Sequence, residues 1–208
     1  MSGTFPASPA PNSLQIRSVT STLVSHAQSM ARQARSRGAQ RWAFRLGYAP
    51  MTRAQWAPLF AFLVKQRGQY ETFQFVLPVP LKTPLGAATG TPVVNNQSGS
   101  PEELQTGSRN VATSGWTAGI TGIVKAADFL LFAGHSKVYM ATADANSDGS
   151  GLATIAIEPA LLAGPAHGAA ITISSPAFTV ALTQESLDTA LQLGPHHRLE
   201  LDLVEVYP

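Results

Sequence analysis

The stretch RWAFRLGYAPMTRAQWAPLFAFLVKQRGQYETFQFVLP, residues 41–78, decides the fold of this chain. Its first eight residues alternate in character, with Trp42, Phe44 and Leu46 on one side and basic or small residues on the other. Because successive side chains of a strand point to opposite faces, this alternation predicts a half-buried β-strand. The aromatic run that ends at Pro78 predicts a second strand, closed by a residue that cannot donate a ladder hydrogen bond.

A helix is expected between these two strands, over about residues 53–67. Thr52 and Gln55 fit a capping box, in which each residue satisfies a backbone N–H of the other. Apolar residues then follow at helical spacing: Trp56, Leu59, Phe60, Leu63 and Val64. Gly68 stands where helices often end on a left-handed glycine. Pro58 lies deep in this segment, so either the first turn is 3₁₀ or the helix begins later, with Pro58 in its first turn.

The rest of the chain predicts short strands separated by turns. Apolar, β-branched runs recur every 8–14 residues, with glycine, proline, serine and asparagine between them. This pattern is typical of a mainly β fold, here with one helix packed on it. Residues 1–13 are expected to be a flexible or draped segment. Residues 25–40, SHAQSMARQARSRGAQ, predict either a short helix or a basic hairpin loop. Six aromatic residues are expected in the core of the sheet and helix: Trp42, Phe44, Trp56, Phe60, Phe73 and Phe75.

Composition limits the classes of function. The chain has 208 residues, of which 44% are hydrophobic and 12% are charged, against about 25% charged in an average soluble domain. This suits a globular protein of one domain or two small ones. The absence of cysteine excludes disulfides, thiolate metal sites and a cysteine nucleophile. We expect neither a membrane span nor a signal peptide, because the apolar runs are short and the first residues lack a basic segment.

Charge is distributed unevenly along the chain. Residues 1–100 contain ten basic residues and one acidic residue, whereas residues 101–208 contain four basic and eleven acidic residues. Such a chain can assemble head to tail into a ring, since the positive part of one subunit can meet the negative part of the next. Five arginines are candidates for an interface with a subunit or partner: Arg32, Arg35, Arg37, Arg41 and Arg45. Phosphate contacts and a solvated surface are the alternatives for these arginines.

Few residues could bind a metal or catalyse a reaction. Asp144, Asn146 and Asp148 match the first positions of a calcium loop, but Ile155 stands where the loop needs a bidentate glutamate. A polar β-turn is therefore favoured for this segment. The five histidines lack the spacing of a zinc site, and the chain has no nucleophile elbow and no phosphate-binding loop. We expect a protein that is not an enzyme and that has no cofactor or metal.

Two longer segments carry recognisable motifs. The first combines an aromatic strand, a Met-Thr-x-x-x-Trp helix start and a Gly-x-x-x-Thr-Phe strand start, carried by Trp42, Met51, Thr52, Trp56, Gly68, Thr72 and Phe73. The second is carried by Gly115, Trp116, Lys125, Asp128, Phe129, Lys137, Val138, Tyr139, Asp144, Gly151, Ile155, Ile157, Pro159 and Leu161. Together these segments cover nearly half of the chain and resemble tail proteins of long-tailed bacteriophages, most of all the distal tail protein family. That family usually has glycine where this chain has Ala127.

The resemblance implies a structural virion protein, assembled in the cytoplasm of a host bacterium. It implies a hexameric ring at the tip of the tail, which joins the tail tube to the baseplate hub and fibre proteins. DNA would pass through the ring without specific binding. Residues 1–82 plus 174–208 would form a ring-forming β-sandwich domain, and residues 83–173 an inserted β-barrel-like domain similar to an oligonucleotide/oligosaccharide-binding fold. Because tight phosphate contacts would slow DNA, we expect the arginines to face a neighbouring protein rather than the channel.

Two other functions stay open at this point. The chain could be another tail component, either a tube subunit or an adaptor near the hub. It could also be a carbohydrate-binding adhesin module, which would need aromatic side chains exposed on one face. Trp116 and Tyr139 are the candidates for such a face.

Overall fold

The computed structural model describes residues 2–96, 106–185 and 197–207, and for residues 37–39 it describes the backbone only. The described residues form eleven strands and one helix: β1 Ser13–His26, β2 Arg32–Gly47, α1 Arg53–Lys65, β3 Phe73–Val76, β4 Gly90–Val94, β5 Asn110–Trp116, β6 Phe129–Phe132, β7 Val138–Ala141, β8 Ala153–Glu158, β9 Ile171–Thr172, β10 Ala177–Leu182 and β11 Glu200–Glu205. The predicted mainly β fold of the sandwich class, with one packed helix and a barrel-like part, is confirmed. Within the described ranges, the helix is too short to cross a bilayer.

The first compact unit comprises Met1–Phe73 and Val180–Val206. Its sheet belongs to the five-stranded order β1-β2-β11-β10-β3. The predicted alternation in β2 is confirmed, because Phe44 and Leu46 are fully buried while Arg45 between them is exposed. The N-terminal segment is draped on this unit, since Phe5 is buried. Its ring lies 5.8 Å from that of Phe62.

The helix α1 buries Leu59 and Leu63, which lie one turn apart, so that one stripe of the helix faces the core. Two of the six predicted core aromatics, Trp56 and Phe60, are only half-buried, and they stack on each other with ring centroids 4.5 Å apart. They lie on the flank of the apolar stripe rather than in its centre. The other four are buried as expected: Trp42, Phe44, Phe73 and Phe75.

The ends of α1 differ in detail from the prediction. The capping residues act as expected, since Gln55 Oε1 accepts a hydrogen bond from the backbone N–H of Thr52 at 3.0 Å. The helix begins at Arg53 and contains Pro58. The carbonyl that this proline deprives of an N–H belongs to exposed Ala54, where water can replace the donor. The helix ends at Lys65, and Gly68 adopts the expected left-handed conformation together with Arg67 before it.

The second compact unit comprises Gln74–Thr179 with Tyr207–Pro208. Its sheet has the order β4-β5-β8-β7-β6-β9. The backbone N–H of Val94 donates to the carbonyl of Ala169 at 2.8 Å, and Val93 forms a bridge with Ala170, so the last strand returns to the first and the sheet nearly closes into a barrel. Apolar side chains of alternate residues fill the interior, including fully buried Tyr139.

The chain passes between the two units at residues 73–74 and 179–180. These transitions lie inside strands β3 and β10. The predicted domain boundaries, after residues 82 and 173, both lie within the second unit. The assignment of residues 1–82 plus 174–208 to a ring domain and of residues 83–173 to an insertion stays a prediction.

Candidate functional site: an exposed β-hairpin arm

Strands β1 and β2 form a hairpin that extends past the rest of its sheet. On one side of β2, strand β11 pairs only from Gly47 to Ala43. Beyond Ala43, β2 has β1 as its sole partner strand in the part of the chain that the structure describes. We call residues 18–41 the arm. Each of its strands is about nine residues long, so the arm projects roughly 30 Å.

A buried carboxylate marks the base of the arm. The backbone N–H of Trp42, the next residue after the last β11 pair, donates to Glu205 Oε2 at 3.1 Å. Glu205 is fully buried and is the last residue of β11. The glutamate side chain thus accepts a hydrogen bond at the first position of β2 beyond its pairing with β11. The backbone N–H of Trp42 at the base of the arm is therefore satisfied.

Both faces of the arm are exposed, except at its base, where Gln40 is buried. The described side chains of residues 18–26 and 28–36 are all exposed. Residues 25–40, for which a helix and a hairpin were both open, thus belong to a hairpin, with His26 opposite Arg32. The pairing register shifts between Thr20 and Thr22, opposite the segment 37–39. Such an irregularity bends a ribbon and strengthens its twist.

Apolar side chains on the arm face solvent. Val19 and Leu23 lie on one face, opposite Arg41 and Arg35 respectively, while Val24 lies on the other. With the residue at the tip, Met30, they form four of the large hydrophobic side chains that the described structure leaves exposed. These four side chains therefore lie on one projecting element that does not bury them within its own subunit.

The tip of the arm is a tight turn with an unusual residue in it. The N–H of Met30 donates to the carbonyl of Ala27 at 2.9 Å, and the N–H of Ala27 donates to the carbonyl of Ala31 at 3.0 Å. Met30 has a φ of 64° and is 83% exposed. Hairpins of this kind usually place glycine at the left-handed position, since a side chain there costs on the order of 1 kcal/mol. Without a glycine at residue 30, the sequence did not indicate where the hairpin turns.

The structure divides the five predicted interface arginines. Arg45 lies at the base, where its Nη2 is 2.9 Å from Glu200 Oε2. This hydrogen bond and the nearby Asp202 raise the pKa of Arg45 further. Arg32, Arg35 and Arg41 are exposed on the arm, whereas the side chain of Arg37 lies outside the described residues.

The charge of the arm is not balanced within the described structure. Arg32 and Arg35 have no acidic partner among the residues that the structure describes. Residues 1–70 contain no aspartate or glutamate. The acids near the arginine-rich strands come instead from β11, where Asp202 Oδ1 lies 3.8 Å from Arg17 and Glu200 pairs with Arg45. Part of the positive charge of these strands is therefore neutralised within the subunit by β11. The charges of Arg32 and Arg35 on the arm are not neutralised by any residue that the structure describes.

The loop that matches a calcium motif uses its oxygens to hold its own backbone. Asp144 Oδ1 accepts a hydrogen bond from the N–H of Ala126 at 3.0 Å, and its Oδ2 pairs with Lys125 Nζ at 2.6 Å. These bonds lower the pKa of Asp144. Asn146 Oδ1 accepts from Gly122 at 2.7 Å, within the same unit. The arrangement is that of a polar turn, and the described residues contain no cluster suited to a metal ion.

The two aromatic residues suggested for a sugar-binding face cannot serve there. Trp116 is 5% exposed and donates from its ring nitrogen to Thr113 Oγ1 at 2.8 Å. Tyr139 is fully buried, and its hydroxyl oxygen accepts from the N–H of Leu162 at 3.3 Å. That expectation was wrong because both residues point into the barrel core, where their large apolar area is buried.

The groove beside Asp128 is a second feature of this unit, and charge and residue spacing in the sequence did not predict it. Asp128 is buried, and its carboxylate accepts three backbone hydrogen bonds, from Leu85 at 2.6 Å, Gly86 at 3.0 Å and Lys125 at 2.8 Å. It thereby fixes one wall of an apolar groove of about 160 Å³. The groove is lined by Leu81, Leu85, Ala127, Phe129, Ile173 and Pro176, among others.

Comparison with known proteins assigns no family to the chain. No protein-family model matches the sequence, and no curated protein matches it.

Proposed function

We propose that this protein is a structural subunit of a bacteriophage tail, which forms a ring at the tail tip and joins the tail tube to the baseplate hub and fibre proteins. The observation that carries the proposal is the arm: a projecting hairpin with both faces exposed. The sequence resemblance to distal tail proteins supplies the tail tip, the hexamer and the location in the virion. The proposal assigns the chain no catalytic step and no cofactor.

The arm has the properties of an element that another molecule covers. A two-stranded ribbon alone in water is marginally stable, and its free edges invite pairing with other chains. Burial of its apolar side chains against a neighbour would supply about 25 cal/mol for each Å² removed from water. An arm of this size also offers about as many residues as one side of a standard interface.

The charge of the arm favours head-to-tail assembly. The arm carries four arginines and no acidic residue, so two arms laid against each other would repel. Each arm must then contact a different surface on the next copy. A contact between two different surfaces is heterologous, and when its rotation closes it generates a ring.

The residue types on the arm suit a protein partner better than DNA. The arm contains four arginines, and Met30 lies at its tip, whereas lysine does not occur in either strand. Arginine and methionine are enriched in protein interfaces, where lysine is depleted. In the proposed ring, DNA therefore passes without being held by the arm.

The test compares the full chain with an arm-shortened variant. In this variant an Asn-Gly turn joins Thr20 directly to Gln40, which are paired in the wild-type register. We expect the full chain to form rings of six in negative-stain images, with a matching mass by light scattering, and the variant to be a monomer. Long tubes instead of single rings would assign the protein to the tail tube. Rings formed equally by the variant would refute assembly through the arm.

A further inference from the structure

Resting on the proposed ring, we propose that Met30 at the arm tip of one copy is an anchor that inserts into the apolar groove on the second unit of the next copy. Two groups are found among the large hydrophobic side chains that the described structure leaves exposed. One is convex and lies on the arm. The other borders the groove, where Leu81 and Leu85 are exposed, Leu85 by 74%.

Two independent features of Met30 point to a use outside its own subunit. Its side chain is 83% exposed and lies at the tip of the arm. Its backbone has a φ of 64°, a conformation that glycine adopts without strain. A glycine would therefore make a better turn, and the methionine side chain buries little of its surface in its own subunit to offset the strain. An unbranched, polarisable side chain is well suited to fill an irregular apolar pocket.

The groove has the size and the rigidity to receive this side chain. Its volume of about 160 Å³ accommodates the four heavy atoms of a methionine side chain, at roughly 30 Å³ for each water-sized group. Asp128 holds Leu85 and Gly86 through their backbone N–H groups. Between the lining residues Ile173 and Pro176, the N–H of Ser175 donates to the carbonyl of Lys82 at 2.7 Å. A preformed groove lowers the entropic cost of binding.

Charge identifies a second copy of this chain as the occupant. The unit that carries the arm contains ten basic and six acidic residues, whereas the unit that carries the groove contains four basic and six acidic residues. The arginines that flank the tip, Arg32 and Arg35, would thus approach a unit of opposite net charge.

The absence of cysteine allows a direct test on the full chain. A chain with Met30→Cys and Leu85→Cys, assembled and then mildly oxidised, is expected to give a ladder of cross-linked multimers on a non-reducing gel. The matched control carries Met30→Cys and Leu152→Cys, because Leu152 is exposed on the same unit but does not line the groove. A ladder from the first chain alone supports the docking, whereas equal ladders or none overturn it.

The variant Met30→Gly is a second test, because it should raise thermal stability while it weakens association. We expect a turn that is relieved of strain, and hence a slightly higher Tm, together with association about tenfold weaker by light scattering. Unchanged association overturns the anchor. If the arm-shortened variant is nevertheless a monomer, the ring proposal survives that failure, whereas rings from the shortened variant refute both. A gel shift with a 20-base-pair duplex that Met30→Gly abolishes would assign the tip to nucleic acid and also overturn the anchor.

Discussion

The arm and the loop of residues 142–152 are both polar hairpin segments, yet their polar groups have different partners. Those of the loop bind its own backbone, whereas those of the arm face solvent. In the loop, Asp148 Oδ1 accepts hydrogen bonds from the N–H groups of Ser150 and Leu152. On the arm, Arg32 and Arg35 project into solvent without an acidic partner among the described residues. Polar groups that are satisfied within the subunit hold its shape. Groups on a projecting element that lack such partners are available to another molecule.

The largest effect is expected from reversing the charge of the arm. The double variant Arg32→Glu and Arg35→Glu should weaken association by about a hundredfold, because each reversed charge would meet a like charge on the neighbouring copy. Light scattering over a range of concentrations measures this change. The free energy of unfolding should change by no more than about 0.5 kcal/mol, since both residues are exposed.

The double reversal Arg53→Glu and Arg67→Glu is the matched control, because both are exposed arginines of the same unit that do not lie on the arm. It should leave association nearly unchanged. Equal losses in the control and in the arm variant would show that net charge, and not the arm, determines assembly.

The next largest effect is expected on stability, from replacing the buried carboxylate of Asp128. Asp128→Asn should lower the free energy of unfolding by about 2–3 kcal/mol, since the amide nitrogen must face a backbone N–H that the carboxylate now accepts. Urea unfolding followed by fluorescence measures the loss. Asp148→Asn is the control and should cost less than about 1 kcal/mol, because Asp148 is exposed. Similar losses from both variants would contradict the role of burial.

The contrast between arm and loop also explains which parts of the structure could be predicted from the sequence. Alternation placed β2 and the turn signals placed the loop, because both patterns are local. The capping residues Thr52 and Gln55 located the start of the helix for the same reason. The arm was ambiguous, because its polar residues fit a helix as well as a hairpin and Met30 hides the turn. The role of Asp128 depends on Leu85 and Gly86, more than 40 residues away, which no local pattern reveals.

A smaller effect is expected from the ion pair of Lys125 and Asp144. In Lys125→Met the pKa of Asp144 should rise toward its ordinary value, because the side-chain hydrogen bond from Lys125 is the main cause of its depression. NMR titration of the Asp144 carboxyl carbon measures the change. A depressed pKa stabilises the fold above the unfolded value of about 3.9, and this contribution is lost as the pH falls through the folded pKa. An unchanged titration in the variant would contradict this cause.

The smallest effect is expected at Arg45, which lies at the base of the hairpin and outside the arm. Arg45 has an acidic partner in its own subunit, Glu200, at 2.9 Å, and both side chains are largely exposed. Exposed pairs contribute little to stability, so Arg45→Met should leave the unfolding transition within the error of the measurement. Because its charge is already paired, the same variant should also leave association unchanged by light scattering. A loss of association as large as that of the arm variants would show that the interface includes Arg45 and extends beyond residues 18–41 onto the sheet itself.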